Sequence, residues 1–139
     1  MSTARPIGDE DYEALAAFRL ALRRFLTFSE AAARDRGLTA QQHQAILTIK
    51  GHGSGRPLTI GELADHLLIR HHSAVELVDR LVQAELATRA SAEDDRRRVV
   101  VALTAKAEVI LRELSATHLD ELRRSRTLLE QLLERLGPP

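Results

Sequence analysis

Cysteine is absent from the 139 residues, which excludes disulfides, thiolate catalysis and thiol redox sensing by this chain. Tryptophan is absent too, and aromatics amount to 3%. With 44% hydrophobic residues a core can form, but it must be built from Leu, Ala, Val and Ile, which suits helices better than a β-sandwich. No apolar run approaches a membrane span, and the opening "MSTARPIGDEDY" lacks a signal-peptide core, so a cytoplasmic location is expected. No glycine-rich phosphate loop or nucleophile elbow occurs, and an enzyme is not expected. Nor is either sign of charge in excess: Lys and Arg number 20, as do Asp and Glu. This counts against nucleic-acid binding through a wholly basic surface. Any such contact must rest on the placement of particular arginines.

The length fits one domain, or one domain with a helical extension. Residues 9–35 read as a long helix, with Tyr12, Leu15, Phe18, Leu22 and Phe25 at steps of three and four and acids in the first turn. Gly37 stops it. A second helix runs from about Thr39 to Lys50, with Thr39 and Gln42 at capping-box spacing. Residues 51–57, "GHGSGRP", form a loop by composition. Thr59 and Glu62 form another capping box, with Leu63, Ala64 and Leu67 on one face. A helix with Ala74, Leu77, Val78 and Leu81 inward follows, and the pair reads as a helix-turn-helix. "LATRAS" and "RVVVALT" predict two strands. From Thr104 onward the chain is helical, with a break expected near Thr117, and Leu122, Leu129 and Leu136 recur every seven residues. The expected fold class is mainly α: a winged helix-turn-helix with a small β-hairpin wing and long terminal helices.

Between the strands lies "EDDRRR", residues 93–98. A wing beside a recognition helix reaches phosphates or the minor groove, and Arg suits both. An adjacent Asp can pre-orient a long Arg side chain. The competing reading is a solvated hairpin tip whose charges pair among themselves.

The stretch from Leu63 to Ala107 resembles the DNA-binding core of the MarR family of bacterial transcription regulators. Leu63-Ala64, Asp79-Arg80-Leu81, Arg89, Asp95-x-Arg97 and Leu103-Thr104 follow in that family's order and spacing, and "LTAQQHQAIL" is similar to its second helix. The resemblance implies a homodimer made by the N- and C-terminal helices, binding to palindromic operators in double-stranded DNA, and release by a small, often aromatic or phenolic ligand. Residues 1–37 and 105–139 would then dimerise, and residues 38–104 would bind DNA. There are departures. Leu68 stands where the family has Gly at the helix-helix turn, so the turn should avoid positive φ. Glu85 replaces the Gly that follows the recognition helix. Glu76, Arg70 and His72 also differ, so the operator read should differ.

On this reading Arg70, His71, His72 and Ser73 open the recognition helix toward DNA. Val75, Arg80 and Arg89 complete that set. In the tip Arg97 contacts DNA and Asp95 orients it, while strand alternation points Arg96 and Arg98 the other way. Each of these residues could instead be ordinary exposed surface. Phe18, Leu22, Phe25, His43 and Leu47 are candidates for a ligand pocket, although His43 also reads as a core histidine. Tyr12, Leu15, Leu111, Leu114, His118, Leu122, Leu129 and Leu136 are candidates for the dimer interface. Glu62, His66, His71 and His72 invite a metal reading, but they lie in the DNA-binding helices without Cys or H-E-x-x-H, and no metal or other cofactor is expected. A metal-responsive regulator and a protein-binding winged helix remain the alternatives.

Overall fold

Threonines begin three of the helices. In a computed structural model that describes residues 5–53 and 56–138, α1 spans Asp9–Asp35, α2 Ala40–Gly51, α3 Ile60–Leu67, α4 His71–Gln83, α5 Ala105–Arg124 and α6 Arg126–Leu136. Thr39 accepts from Gln42 N–H at 3.0 Å, and Gln42 Oε1 accepts from Thr39 N–H at 2.9 Å, which completes the expected box. At α3 only half the box forms. Thr59 Oγ1 accepts from Glu62 N–H, but the Glu62 carboxylate turns to Arg56 and to the Thr59 hydroxyl instead. Thr104 caps α5 by accepting from Ala107 N–H. At the start of α1 the Asp11 carboxylate accepts from Gly8 N–H at 2.9 Å.

The end of α3 overturns the expectation for the turn, and the end of α4 shares its conformation. Leu68 follows α3 in the left-handed region (φ 56°, ψ 40°), and Glu85, beyond α4, has φ 60°. The geometry that closes α3 is the reason: Leu68 N–H donates to Asp65 O and Ile69 N–H to Ala64 O, a closure that requires a left-handed residue whatever its side chain. The Leu68 side chain escapes a clash by standing in solvent, 92% exposed. The C-terminal break also moves, from the expected Thr117 to Ser125. Thr117 stays inside α5 with its hydroxyl donating to Glu113 O.

The sheet has three strands rather than the two of a simple hairpin. Strand β1 (Leu58–Thr59) pairs antiparallel with β3 (Val99–Leu103), which pairs on its other side with β2 (Ala87–Ser91). Leu58 faces Val101, and Arg89 faces Val101 from the other edge. Strand β1 thus ties Val100 and Val101 of the wing to the start of α3.

One core holds these elements. Ala33, Leu38, Leu63, Leu77, Val78, Leu81, Val101, Ala107, Leu111 and Leu114 belong to a single buried cluster. Leu111 and Leu114, expected between subunits, are therefore interior residues of their own chain, 4% and 2% exposed. The division near residues 37 and 104 is not a division of the core. Most of α1 lies outside it: Ala14 and Ala33 are its buried residues, and Tyr12, Leu15, Phe18, Leu22 and Leu26 are exposed. Among the described residues no helix is long and apolar enough to cross a membrane.

Candidate nucleic-acid interface

The head of α4 is open. Arg70 is its N-cap in an extended conformation with no side-chain cap bond, and the first turn closes with Ala74 N–H to Arg70 O. The N–H groups of His71, His72 and Ser73 accordingly point out of the helix end, where the dipole favours an anion. Arg70, His71, His72 and Arg80 are exposed or half-buried at the surface, and Ser73 is half-buried. Val75, expected among the DNA-facing residues, is half-buried against the core. Arg89 carries an ion pair with Asp79, so its charge joins β2 to α4.

The tip between β2 and β3 is a turn, not strand. Ala92 N–H donates to Arg98 O at 2.8 Å and Arg98 N–H to Asp95 O at 3.1 Å. Alternation therefore does not set the directions of residues 96–98, contrary to the expectation from sequence. Hydrogen bonds set them. The Asp95 carboxylate accepts from Arg97 N–H at 2.9 Å and lies 3.5 Å from Arg97 Nε, while the Arg97 side chain is 94% exposed. Arg96 is exposed. Arg98 turns back toward the body, 3.1 Å from Asp94 and 3.8 Å from Glu62. Glu62 in turn accepts both Arg56 Nη1 and Nη2 at 2.8 Å and the Thr59 hydroxyl at 3.0 Å. The Arg56 hydrogen bonds, with help from Thr59, hold its carboxyl down at about 2. Sequence reading missed this cluster. Glu62 was visible as a cap, but nothing local showed that Arg56 and Arg98 converge on it.

His43 and His118 meet where α1, α2 and α5 come together. Their ring centroids are 4.8 Å apart. His43 is 4% exposed, and burial first, then the nearby His118 charge, lowers its pKa. His118 Nδ1 lies 2.6 Å from Leu114 O and Nε2 2.7 Å from Ser29 Oγ, with Phe25 and Phe28 edge-on to the ring. His118 is thus packed, half-buried, against α1 and α2 of its own chain. Two of the five pocket candidates line separate grooves. Leu47 lines a groove of about 260 Å³ with Lys50, Glu108 and Leu111, and Phe25 lines another with Leu122 and Leu129. Phe18 and Leu22 are exposed. Among the described residues no three His, Cys, Asp or Glu side chains gather as a metal site.

An open recognition helix together with an arginine-tipped wing can meet a nucleic-acid groove and its phosphates. Comparison with known proteins agrees with this architecture. The MarR family model matches residues 36–98. Among solved structures, AbsC, a MarR family transcriptional regulator from Streptomyces coelicolor, aligns with a TM-score of 0.76 at 22% identity, over 94% of this chain and 90% of that one. A cysteine-to-serine mutant of MarR from E. coli, complexed with operator DNA, aligns with a TM-score of 0.68 at 20% identity, over 96% and 100%. A phenylalanine-to-leucine mutant of MepR from S. aureus, bound to an oligodeoxyribonucleotide, gives a TM-score of 0.66 at 21% identity, over 86% and 83%. No curated protein sequence matches this chain.

Proposed function

We propose, from the match of residues 36–98 to the MarR family model, that the protein is a MarR-type regulator: a dimeric, sequence-specific DNA-binding regulator of transcription, acting as a repressor that a small ligand releases. Residues 38–104 read the DNA and residues 1–37 and 105–139 hold the dimer. One observation carries the reading: the head of α4 is uncapped, with Arg70, His71 and His72 at the surface, and the wing presents an exposed, Asp95-held Arg97. Two structural relatives were solved with DNA, which supports the same use here. In this division of labour Arg70, His71, His72 and Ser73 meet base edges and phosphates from the head of α4, and Arg80 lies further along it. Arg96 and Arg97 serve the wing, and Arg89 and Arg98 brace it.

The releasing ligand is an aromatic or phenolic molecule. Its entry in this proposal is the groove between α2 and α5 beside Leu47, which at about 260 Å³ lies near the lower edge of small-molecule sites. The function is tested by selecting bound sequences from random duplex DNA, with and without a panel of phenolic acids. Enrichment of inverted repeats, with half-sites about 10–10.5 base pairs apart or a multiple of that, supports it. Recovery of no consensus at low salt overturns it.

A further inference from the structure

The two strands of the wing differ in their packing: β3 sets Val101 into the core and lays Val99 and Leu103 against it, whereas β2 has little apolar packing of its own. Along β2 only Ala87 is buried, and the other four residues face solvent. A two-stranded ribbon of that kind is marginal alone. On the other side of β3, at Val100 and Val101, β1 lends a third strand. In the turn beyond Val99 the tie to the body runs through charge: Arg98 reaches Glu62, in the first turn of α3, while also pairing with Asp94.

The Glu62 carboxylate is itself fixed. Arg56 grips both of its oxygens and the Thr59 hydroxyl donates to one of them. A fork-to-fork pair sets the plane of the carboxylate, which a single long ion pair does not. Its side chain is only 26% exposed, so it is less screened than the other wing charges. The helix that carries Glu62 packs directly on α4. Wing tip, α3 and recognition helix are thereby connected through one side chain.

We infer that Glu62 is a positioning residue: by holding Arg98 it fixes the wing tip relative to α4 and so places the adjacent Arg97 for contact with DNA. The inference rests on the DNA-binding reading above. It assigns Arg98 to the frame of the wing rather than to phosphate binding. A plain charge model makes the opposite prediction. In that model Glu62 masks Arg56 and Arg98, and its neutralisation would free two cations for phosphates.

The test uses the full chain, an operator obtained by selection, and the variants Glu62→Gln, Arg98→Gln, Arg97→Gln and the double Glu62→Gln/Arg98→Gln. Affinity is measured across a potassium chloride series. Positioning predicts that Glu62→Gln weakens binding about as much as Arg97→Gln does. It should also lower the slope of log affinity against log salt by about one, through loss of the Arg97 contact. The double variant should be no worse than either single one, because both break the same link. Tighter binding with a steeper slope, or binding unchanged, overturns the inference. A readout without DNA accompanies it: amide exchange of Ala92 and Arg98, whose N–H groups are bonded within the tip, should quicken in Glu62→Gln while that of the α4 core stays as in wild type. Unchanged exchange at the tip also overturns it. Failure of the wild type to bind any duplex would instead overturn the DNA-binding reading, leaving the exchange result to judge the anchor.

Discussion

At the scale of single residues, two side chains carry costs that make measurable predictions. Leu68 sits at positive φ with its side chain in water, so it contributes strain and no burial. A left-handed conformation costs an L-residue roughly 1–2 kcal/mol, and a glycine there costs roughly 0.4–1 kcal/mol through the freer unfolded chain. Leu68→Gly should therefore leave stability unchanged or raise it by up to about 1 kcal/mol, read from the midpoint of urea unfolding. A clear loss would show that Leu68 makes a contact within the fold. His43 makes a prediction about pH. Its folded pKa lies below the ordinary 6.5, with burial the first cause and His118 the second. Below pH 6.5 the unfolded chain takes up a proton that the folded chain resists, so stability falls as pH falls. The slope for one such group cannot exceed about 1.4 kcal/mol per pH unit. His43→Gln should lose less stability than wild type between about pH 7.5 and about pH 5.5, by urea unfolding at each pH. Equal losses would assign the acid sensitivity to other groups.

At the scale of elements, helix starts were the most legible feature, because a cap is a local event. Thr39 with Gln42 could be read directly from spacing, and so could the inward face of α4, where Ala74, Leu77, Val78 and Leu81 are all buried as expected. What escaped was non-local. Strand β1 is two residues long and exists only because β3 pairs with it, so no run of β-formers announces it. The absence of glycine at Leu68 was read as a ban on positive φ, but closure of the preceding helix outweighs that modest penalty, and Glu85 after α4 adopts positive φ as well. In the candidate interface the surface head of α4 and the Asp95–Arg97 pairing were within reach of sequence. The turning of Arg89 to Asp79 and of Arg98 to Glu62 was not, since each partner comes from another element. The caps also differ in reach, which predicts a ranking. Thr39 serves α2 alone, whereas Thr104 caps α5 and also donates its hydroxyl to Glu85 O at 2.7 Å. Thr39→Ala should cost about 1 kcal/mol, and Thr104→Ala about 2 kcal/mol, because it also leaves the Glu85 carbonyl without this donor. Chemical denaturation of both variants checks the order. Equal losses would mean that the Glu85 bond is replaced by water.

At the scale of the whole molecule, the folded chain leaves an apolar surface that its own core does not cover. Tyr12, Leu15, Phe18, Leu22 and Leu26 on α1 are 46–62% exposed, and Leu133 and Leu136 on α6 are 67% and 65% exposed. Helices α1 and α6 pack on each other, so these side chains lie on one helical pair. Leu132, by contrast, is 6% exposed and belongs to the contact within the chain. A second copy is the partner in our reading, because one winged helix offers one half-site and a palindrome requires two. This gives a test finer than cutting away residues 119–139, since truncation would also strip Leu132 from the contact it makes. Leu133→Arg with Leu136→Arg places two charges on the exposed face and leaves Leu132 in place. Burying unpaired charge opposes association by several kcal/mol, while the isolated chain loses little because both side chains already face water. Sedimentation should show the double variant as monomers with the helix content of wild type, and operator binding should fall steeply because half-sites are no longer joined. Leu132→Ala should act differently, lowering stability by about 2–3 kcal/mol through a cavity inside the chain. A double variant that still sediments as a wild-type dimer would place the interface on another face, and the exposed stripe of α1, with Tyr12 and Phe18, would be the next surface to charge.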